Sequence, residues 1–180
     1  MKKLLYLFLA VSFIFTACKK EEGCTDAIAT NYNADAEDDD GSCTYGLTGG
    51  IWTTTNVIKD STITVTVGGI LDPTQSGSGS ETLTAEDSES PTSIEFLSND
   101  TVYALHSYDP AEDDTSTYSI SGSTLTITST DEDEDLIMDD LQYTVDKTTL
   151  TLVMSIDTSV SMPPVEISAN FSQTMNFNRE

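Results

Sequence analysis

Residues 118–127 read YSISGSTLTI, and this short stretch indicates the fold class of the chain. Large apolar side chains alternate with serine and threonine on both sides of Ser121-Gly122, a residue pair typical of a tight hairpin turn. Because successive side chains of a strand point to opposite faces, each arm has one apolar and one polar face. The stretch therefore predicts a β-hairpin that packs one side against a core.

The same two-residue alternation continues through residues 46–180. Further hairpins are predicted through Ser98-Asn99-Asp100 and through Asp146-Lys147. The predicted strands are 50–58, 61–71, 92–97, 101–108, 115–121, 123–130, 138–146, 148–157 and 165–178. The remaining polar segments are expected to be loops, at 71–91, 109–114 and 131–135. We expect the first loop to be mobile, because it is rich in glycine and serine.

Eight or nine strands that are each apolar on one side need a closed barrel or a two-sheet sandwich to bury that side. Hairpins that follow one another in sequence favour an up-and-down arrangement. We therefore expect an all-β chain with a single up-and-down antiparallel β-barrel over residues 46–180. Trp52 is expected to close one end of this barrel, because a lone tryptophan on a strand is usually part of the core.

The composition of the 180-residue chain is strongly acidic, with a formal net charge of −24. No basic stripe is present to neutralise phosphates, so nucleic acid is not expected as a partner. The charge also favours a soluble monomer. His106 is the single histidine, and the chain has no Gly-x-Ser-x-Gly elbow, phosphate loop or histidine-rich metal motif. We therefore expect that the protein is not an enzyme.

Residues 1–17 have the organisation of a secretory signal peptide. Lys2 and Lys3 precede an apolar run over residues 4–15 that only Ser12 interrupts. This run is shorter than the roughly 20 residues that a membrane-spanning helix needs. A buried core helix is the poorer alternative, because the run is apolar all round and is followed by charged residues. The sequence therefore predicts export across the inner membrane.

Residues 15–18, FTAC, resemble the lipobox of bacterial lipoproteins, with phenylalanine where leucine is usual. The resemblance implies that Cys18 is acylated, with palmitate among the acyl chains, and becomes the first residue of the mature protein. Several acyl chains give stable anchoring. Lys19 stands where lipoproteins retained in the inner membrane carry aspartate, and residues 18–22, CKKEE, resemble a surface-export tag. The resemblance thus implies an outer-membrane protein anchored at the cell surface.

Cys24 and Cys43 are the two cysteines left after Cys18, and such a pair in an exported protein is expected to form a disulfide. The segment 23–45 resembles a short module of secreted and surface proteins of Gram-negative bacteria, GCTD…NYN…DDGSC, with Ala27 where proline is common. A segment this short cannot bury a core of its own. The disulfide is therefore expected to stabilise it by about 3 kcal/mol.

The same module has closely spaced oxygen ligands before a glycine turn at Gly41. Alternating hard oxygen ligands are what calcium prefers, although the spacing is not that of an EF-hand. A calcium site is one interpretation, and an acidic, disulfide-bonded linker without an ion is the other, because acidic runs are usually solvated. The candidate calcium ligands are Asn31, Asn33, Asp35, Asp38 and Asp40.

Three stretches resemble bacterial lipocalin-like domain lipoproteins: residues 47–52, with their Gly-x-Trp opening, and the hairpins within 92–102 and 118–127. The resemblance implies a barrel whose mouth binds a small apolar ligand, although the C-terminal helix of classical lipocalins is not found. Alternatively, side chains fill the barrel, and the domain is a surface-displayed structural or interaction module. The candidate ligand-binding residues are Trp52, Tyr118, Leu125, Leu150, Leu152, Phe171 and Met175.

Overall fold

The computed structural model describes residues 20–106, 114–130 and 137–180. The predicted signal peptide and the predicted lipidation site, Cys18, lie outside these ranges. The chain forms two compact units, with the boundary between Tyr45 and Gly46. The regular secondary structure in the described ranges consists of β-strands, so the all-β prediction is confirmed.

The first unit is held together by a disulfide bond and two very short strands. Strands β1 (Glu22–Gly23) and β2 (Asp38–Asp39) pair in parallel. The Cys24–Cys43 disulfide is present, with Cα atoms 4.8 Å apart, which confirms the predicted pairing. Between residues 20 and 45 only Cys24 and Ala29 are buried, so the disulfide takes the place of a hydrophobic core.

The second unit contains ten strands in its described residues. Their bounds are β3 (Ile51–Val67), β4 (Ile70–Leu71), β5 (Gly77–Leu83), β6 (Ser93–Phe96), β7 (Thr101–Leu105), β8 (Asp114–Ser121), β9 (Thr124–Ser129), β10 (Ile137–Val145), β11 (Thr149–Met162) and β12 (Val165–Arg179). From β6 to β12 each strand pairs with the next, in antiparallel orientation. The three predicted hairpins, β6–β7, β8–β9 and β10–β11, are confirmed.

The sheet closes into a barrel because β12 pairs with β3. The two strands are antiparallel from Arg179 opposite Trp52 to Val165 opposite Val67, and β3 also pairs with β6. The ring β3-β6-β7-β8-β9-β10-β11-β12 therefore has eight strands, and the predicted up-and-down antiparallel barrel is confirmed. At the β8–β9 turn Gly122 has a φ of 64°, a left-handed conformation that favours glycine.

Some strand bounds differ from the prediction. Strand β3 is a single strand of 17 residues where a break near residues 59–60 was expected. Strand β5 occupies part of the expected mobile loop 71–91. Strand β5 has no apolar alternation but pairs residue by residue with β3. Lys59 and Asp60 stay extended because they pair with β5 on one side and with β12 on the other. Likewise β11 continues beyond residue 157 because it stays paired with β12.

Strands β3, β11 and β12 are longer than the barrel wall and project beyond it. β10 pairs with β11 only as far as Val153, whereas β11 stays paired with β12 to Met162. Strands β4 and β5 lie along the outer edge of β3. The projecting parts thus form a single-layer antiparallel sheet, and we call this sheet, residues 59–83 and 154–173, the ribbon.

The core fills the end of the barrel away from the ribbon. Trp52 is completely buried, and its Nε1 donates a hydrogen bond to the carbonyl oxygen of Leu47 at 2.6 Å. The guanidinium of Arg179 lies 4.2 Å from the centroid of the Trp52 ring, a cation–π distance. Trp52 therefore closes this end. The buried core residues are Leu47, Trp52, Ile94, Phe96, Val102, Leu125, Ile127, Leu141, Leu150, Leu152 and Phe177.

Candidate functional site: the barrel cavity

The end of the barrel next to the ribbon contains a cavity of about 260 Å³. The cavity is therefore bounded on one side by the packed core and open toward the ribbon on the other. Its wall is apolar and comprises Ile94, Val102, Ile127, Leu141, Leu152 and Phe177. Its rim is polar and comprises Glu89, Ser90, His106, Asp114, Ser116 and Gln173.

Three methionines line the upper wall of the cavity: Met138, Met154 and Met175. Met175 lies directly opposite Leu152 across the β11–β12 pair, and Met154 follows Leu152 on the same face of β11. Methionine is unbranched and has three rotatable bonds, so it fills irregular space and repacks easily. The upper cavity can therefore adjust to ligands of different shape.

A β-bulge brings Met138 into this wall. Simple alternation would place Met138 and Leu141 on opposite faces of β10, since they are an odd number of residues apart. The register of β10 against β9 shifts between these two residues, and Asp140 has a φ of 59° within the irregular part. A bulge changes the direction of the side chains that follow it, and both Met138 and Leu141 line the cavity.

The connection between β5 and β6 crosses the cavity rim, and we call residues 84–91 the cap segment. Its chain folds back on itself, since the Ser90 amide donates to the Ala85 carbonyl at 2.9 Å and the Ser88 hydroxyl donates to the Thr84 carbonyl at 2.7 Å. Ser88 and Ser90 are both buried. The cap segment therefore has its own hydrogen bonds and does not depend on a bound molecule for its shape.

Two side chains from the base of the ribbon hold the cap segment. Gln173 Nε2 donates to Ser90 Oγ at 3.1 Å, and Lys59 Nζ donates to the Ser88 carbonyl at 3.3 Å. Gln173 is the residue that interrupts the apolar face of β12, and its contact explains why a polar side chain lies there. The ribbon and the cap segment are thus joined at the cavity rim.

The rim has its own polar pair on the opposite side. Ser116 is 5% exposed, and its hydroxyl donates to Asp114 Oδ2 at 2.9 Å. His106 lines the same part of the cavity. An apolar interior with a few polar groups at one end is the usual composition of a small-molecule site. The arrangement suits a ligand that is mostly apolar and carries a polar group at one end.

The seven predicted ligand-binding residues lie in different parts of the structure. Leu152 and Met175 line the cavity, whereas Trp52, Leu125 and Leu150 are fully buried in the closed end of the barrel.

Tyr118 packs edge-on against Phe96, with ring centroids 5.1 Å apart, and its hydroxyl donates to the Leu97 carbonyl at 2.8 Å. Burial, together with the nearby charge of Asp100, raises the pKa of Tyr118. Phe171 lies on the ribbon and is 44% exposed. Only the two cavity residues are therefore placed to touch a ligand in the barrel.

Several lining residues were not predicted, although some of them have a sequence signal. His106 continues the inward series of Val102 and Ala104, and Met154 continues that of Leu150 and Leu152. Following each inward series to its end at the mouth would have identified both. The cap segment and Met138 carry no such signal, because neither follows the alternation of a regular strand.

A second recess lies on the ribbon. This groove has a volume of about 570 Å³ and is lined by Lys59, Glu81, Met154, Ile156, Phe171 and Gln173, among others. It is larger than the cavity, but it lies on a single-layer sheet and is open to solvent. Met154 and Gln173 line both recesses, so the two are adjacent. The barrel cavity, which has strands on all sides, is the better candidate for a binding site.

Four of the five predicted calcium ligands have side-chain oxygens in local hydrogen bonds or an ion pair. Asn31 Oδ1 accepts from the Thr44 amide at 2.8 Å, and Asn33 Oδ1 accepts from the Asp35 amide at 3.0 Å. Asp38 pairs with Lys20 at 2.9 Å.

Asp40 Oδ1 accepts from the Ser42 amide at 2.9 Å, and hydrogen bonds from Ser42 lower the pKa of Asp40. In the described ranges no group of three or more histidine, cysteine, aspartate or glutamate side chains is placed to hold a metal ion. The calcium site and the ion-free acidic linker both stay predictions.

A scan against protein-family models gave no match, and neither did searches of curated proteins and of solved structures. Within residues 20–106, 114–130 and 137–180 there is no helix long and apolar enough to cross a membrane. The fold and the cavity define a closed eight-stranded antiparallel β-barrel with a largely apolar cavity at one end.

Proposed function

We propose that the barrel binds a small apolar ligand and that the protein is a lipid-anchored lipoprotein of the cell envelope. The cavity carries the proposal for the ligand, because it is apolar, lies inside the barrel and has a polar rim. Small-molecule sites have this composition, and eight-stranded barrels have room for one small ligand. No catalytic activity is proposed.

The cavity volume and its rim indicate the kind of ligand. At about 260 Å³ the cavity is near the lower end of known ligand sites, which begin at roughly 300 Å³. The three flexible methionines allow limited expansion. A polar group of the ligand would lie near Ser90, Gln173 and His106 at the rim. We therefore propose a compact apolar molecule with one polar end.

The location of the protein is proposed from the N-terminal sequence. The basic residues, the apolar run and the lipobox-like FTAC support acylation of Cys18 and anchoring in the outer membrane. The CKKEE stretch supports exposure at the cell surface. Protease treatment of intact cells tests this location: we expect digestion of the barrel, and protection in intact but not in lysed cells would contradict surface exposure.

Ligand binding is tested with a matched pair of variants of the full chain. Ala104 lines the cavity, whereas the adjacent Tyr103 is 39% exposed and points outward. We expect Ala104→Trp to weaken binding of the neutral apolar dye N-phenylnaphthylamine by about tenfold or more, because the indole occupies the ligand space. Tyr103→Trp is the control, and circular dichroism verifies the fold of both.

Equal dye affinity in the two variants would contradict binding in the cavity. Native mass spectrometry of protein purified from its own host adds a second measurement, in which a bound small molecule supports the proposal. A clean mass without ligand favours the alternative of a surface-displayed interaction module. The exposed apolar side chains of the ribbon, such as Ile156 and Val160, are the observation in favour of that alternative.

A further inference from the structure

We propose that the open edge of strand β11, residues 154–162, pairs with the same edge of a second copy of this chain. The pairing would be antiparallel, about a two-fold axis at Thr158, and would join two ribbons into one continuous sheet. This inference concerns the ribbon and goes beyond ligand binding in the barrel. It differs from the monomer expected from the charge of the sequence, and the experiments below distinguish the two.

Within residues 114–130 and 137–180, no strand other than β12 pairs with β11 along the ribbon. It pairs with β12 as far as Met162, but among the described strands β10 covers its other side only to Val153. An uncovered edge presents unpaired backbone N–H and C=O groups and is a template for another strand. The nine residues of this edge span about 30 Å at the usual rise per residue.

The edge has few of the features that usually prevent pairing between chains, since Asp157 is its single charged residue. Residues 154–162 read MSIDTSVSM, without proline, lysine or arginine, and their register against β12 is regular throughout. Proteins protect exposed edges with proline, charge or a bulge. The opposite edge of the ribbon, strand β5, begins with alternating glycine and serine, which are poor strand formers. The β11 edge is therefore the one suited to pairing.

The sequence of the edge is complementary to itself about Thr158. Antiparallel pairing about this residue matches apolar with apolar side chains on one face and polar with polar on the other. Opposite-strand neighbours of like character stabilise a sheet, whereas like charges that face each other destabilise it. The pairs between the two copies are Met154 with Met162, Ser155 with Ser161, Ile156 with Val160, and Asp157 with Ser159.

The single charge of the edge fits this register. Asp157 would lie opposite Ser159 of the second copy, and its carboxylate already accepts a hydrogen bond from Asn170 Nδ2 at 2.7 Å. An axis shifted by one residue, to Asp157, would place the two carboxylates opposite each other. Charge therefore disfavours the axis at Asp157, and the axis at Thr158 is the one that pairs all nine residues of the edge.

The apolar face gives a second reason for pairing. Ile156, Val160 and Met162 are 54%, 51% and 58% exposed. In the proposed register these side chains contact their counterparts across the new strand pair, so part of their apolar surface leaves water. An interface made of one strand pair is small, and small interfaces are weak. We therefore expect a dimer that forms and dissociates readily.

Cysteine cross-linking of the full-length chain tests both the pairing and its axis. In the variant Thr158→Cys the two new thiols face each other at Cα distances of about 4.5–5.5 Å, which a disulfide can bridge. We expect most of this variant to run as a dimer on a non-reducing gel after mild oxidation. The wild-type chain on the same gel accounts for any cross-linking through Cys18.

Met162→Cys is the matched control, because its thiols would lie about 26 Å apart along the sheet. We expect no more dimer from this variant than from the wild type. A mixture of Met154→Cys and Met162→Cys chains is expected to cross-link, since these positions face each other. Equal cross-linking by Thr158→Cys and Met162→Cys, or none by either, overturns the proposal.

Light scattering with size-exclusion chromatography provides a readout without new cysteines. We expect the mass of the concentrated wild-type chain to approach that of a dimer and the mass of Ile156→Lys to be that of a monomer. Thr64→Lys, on the polar face of β3, is expected to behave like the wild type. A monomeric wild type at every concentration, as expected if a membrane or another protein covers this edge, overturns the proposal.

Discussion

Strands β3, β11 and β12 each run through two regions, the barrel and the ribbon, with the same alternation of apolar and polar residues. In the barrel their inward side chains are buried, and Trp52, Leu150 and Phe177 are at most 2% exposed. In the ribbon the corresponding side chains Ile63, Val160 and Phe171 are 40–51% exposed. Alternation therefore specifies a strand and its apolar face, but it does not specify burial.

The difference arises from closure of the sheet. In the barrel every apolar face meets the faces of strands across the ring, so a core forms. The ribbon is a single layer, and most large apolar side chains on its apolar face are exposed, although Val65 is buried. Apolar surface that stays in water contributes no hydrophobic stabilisation. The two regions should therefore respond differently to the same substitution.

Replacing a phenylalanine by alanine in each region should give the largest contrast. Phe177 is 2% exposed and Phe171 is 44% exposed. We expect Phe177→Ala to lower the free energy of unfolding by about 3–5 kcal/mol and Phe171→Ala to lower it by about 1 kcal/mol or less. Urea titration of both variants measures the difference. Similar losses would mean that the ribbon face is covered in solution.

The disulfide unit differs from both the barrel and the ribbon, because it is held by a disulfide and has neither a closed sheet nor a core. We expect Cys43→Ser to cost about 3 kcal/mol within residues 20–45, through the restriction that the disulfide places on the unfolded chain. Hydrogen exchange should show loss of protection at the Asn33 amide, which donates to the Cys24 carbonyl at 2.9 Å. Barrel amides serve as the control, and their protection should be unchanged.

The burial of Tyr118 in the barrel wall should make the stability of the protein depend on pH. Burial, with the charge of Asp100, raises the pKa of Tyr118 in the folded state above its ordinary value of 10.0. Folding thus favours the neutral phenol. The contribution of Tyr118 to the free energy of unfolding is fully present below about pH 10 and is lost as pH rises through the folded-state pKa. We expect the loss of stability between about pH 8 and about pH 11 to be smaller in Tyr118→Phe.

The same variant should cost about 1 kcal/mol at neutral pH, because it removes the hydrogen bond to the Leu97 carbonyl. Urea titration across this pH range measures both effects. An unchanged pH profile would show that Tyr118 does not titrate in this way.

Calcium should have the smallest effect of all. Because the oxygens of Asn31, Asn33 and Asp40 already accept backbone hydrogen bonds, we expect millimolar calcium to leave the melting temperature of the full chain unchanged. Magnesium at the same concentration controls for charge screening. A rise with calcium alone would show that the acidic unit rearranges around an ion, since binding to the folded state raises its stability.

The sequence was sufficient for the barrel but only partly for the site. Hairpins and alternating faces are local properties, so the strands, their turns and the Cys24–Cys43 pair could be predicted. The glycine- and serine-rich strand β5 could not, because its extended structure depends on β3 and not on its own residues. The level at which a side chain lies in the barrel also depends on the register between distant strands. For this reason Leu125 and Leu150 were predicted at the ligand site but lie in the closed end.

The pairing of β3 with β12 affects how the chain folds. Hairpins form between neighbours in sequence and need little loop closure. The β3–β12 pairing joins Trp52 to Arg179, so it cannot form before β12 is present. Contacts so far apart in sequence are slow to form. Until β12 is available, the edges of β3 and β11 that pair with it are free. Folding of this barrel should therefore be completed only once β12 is present, and chaperones that cover strand edges should increase its yield.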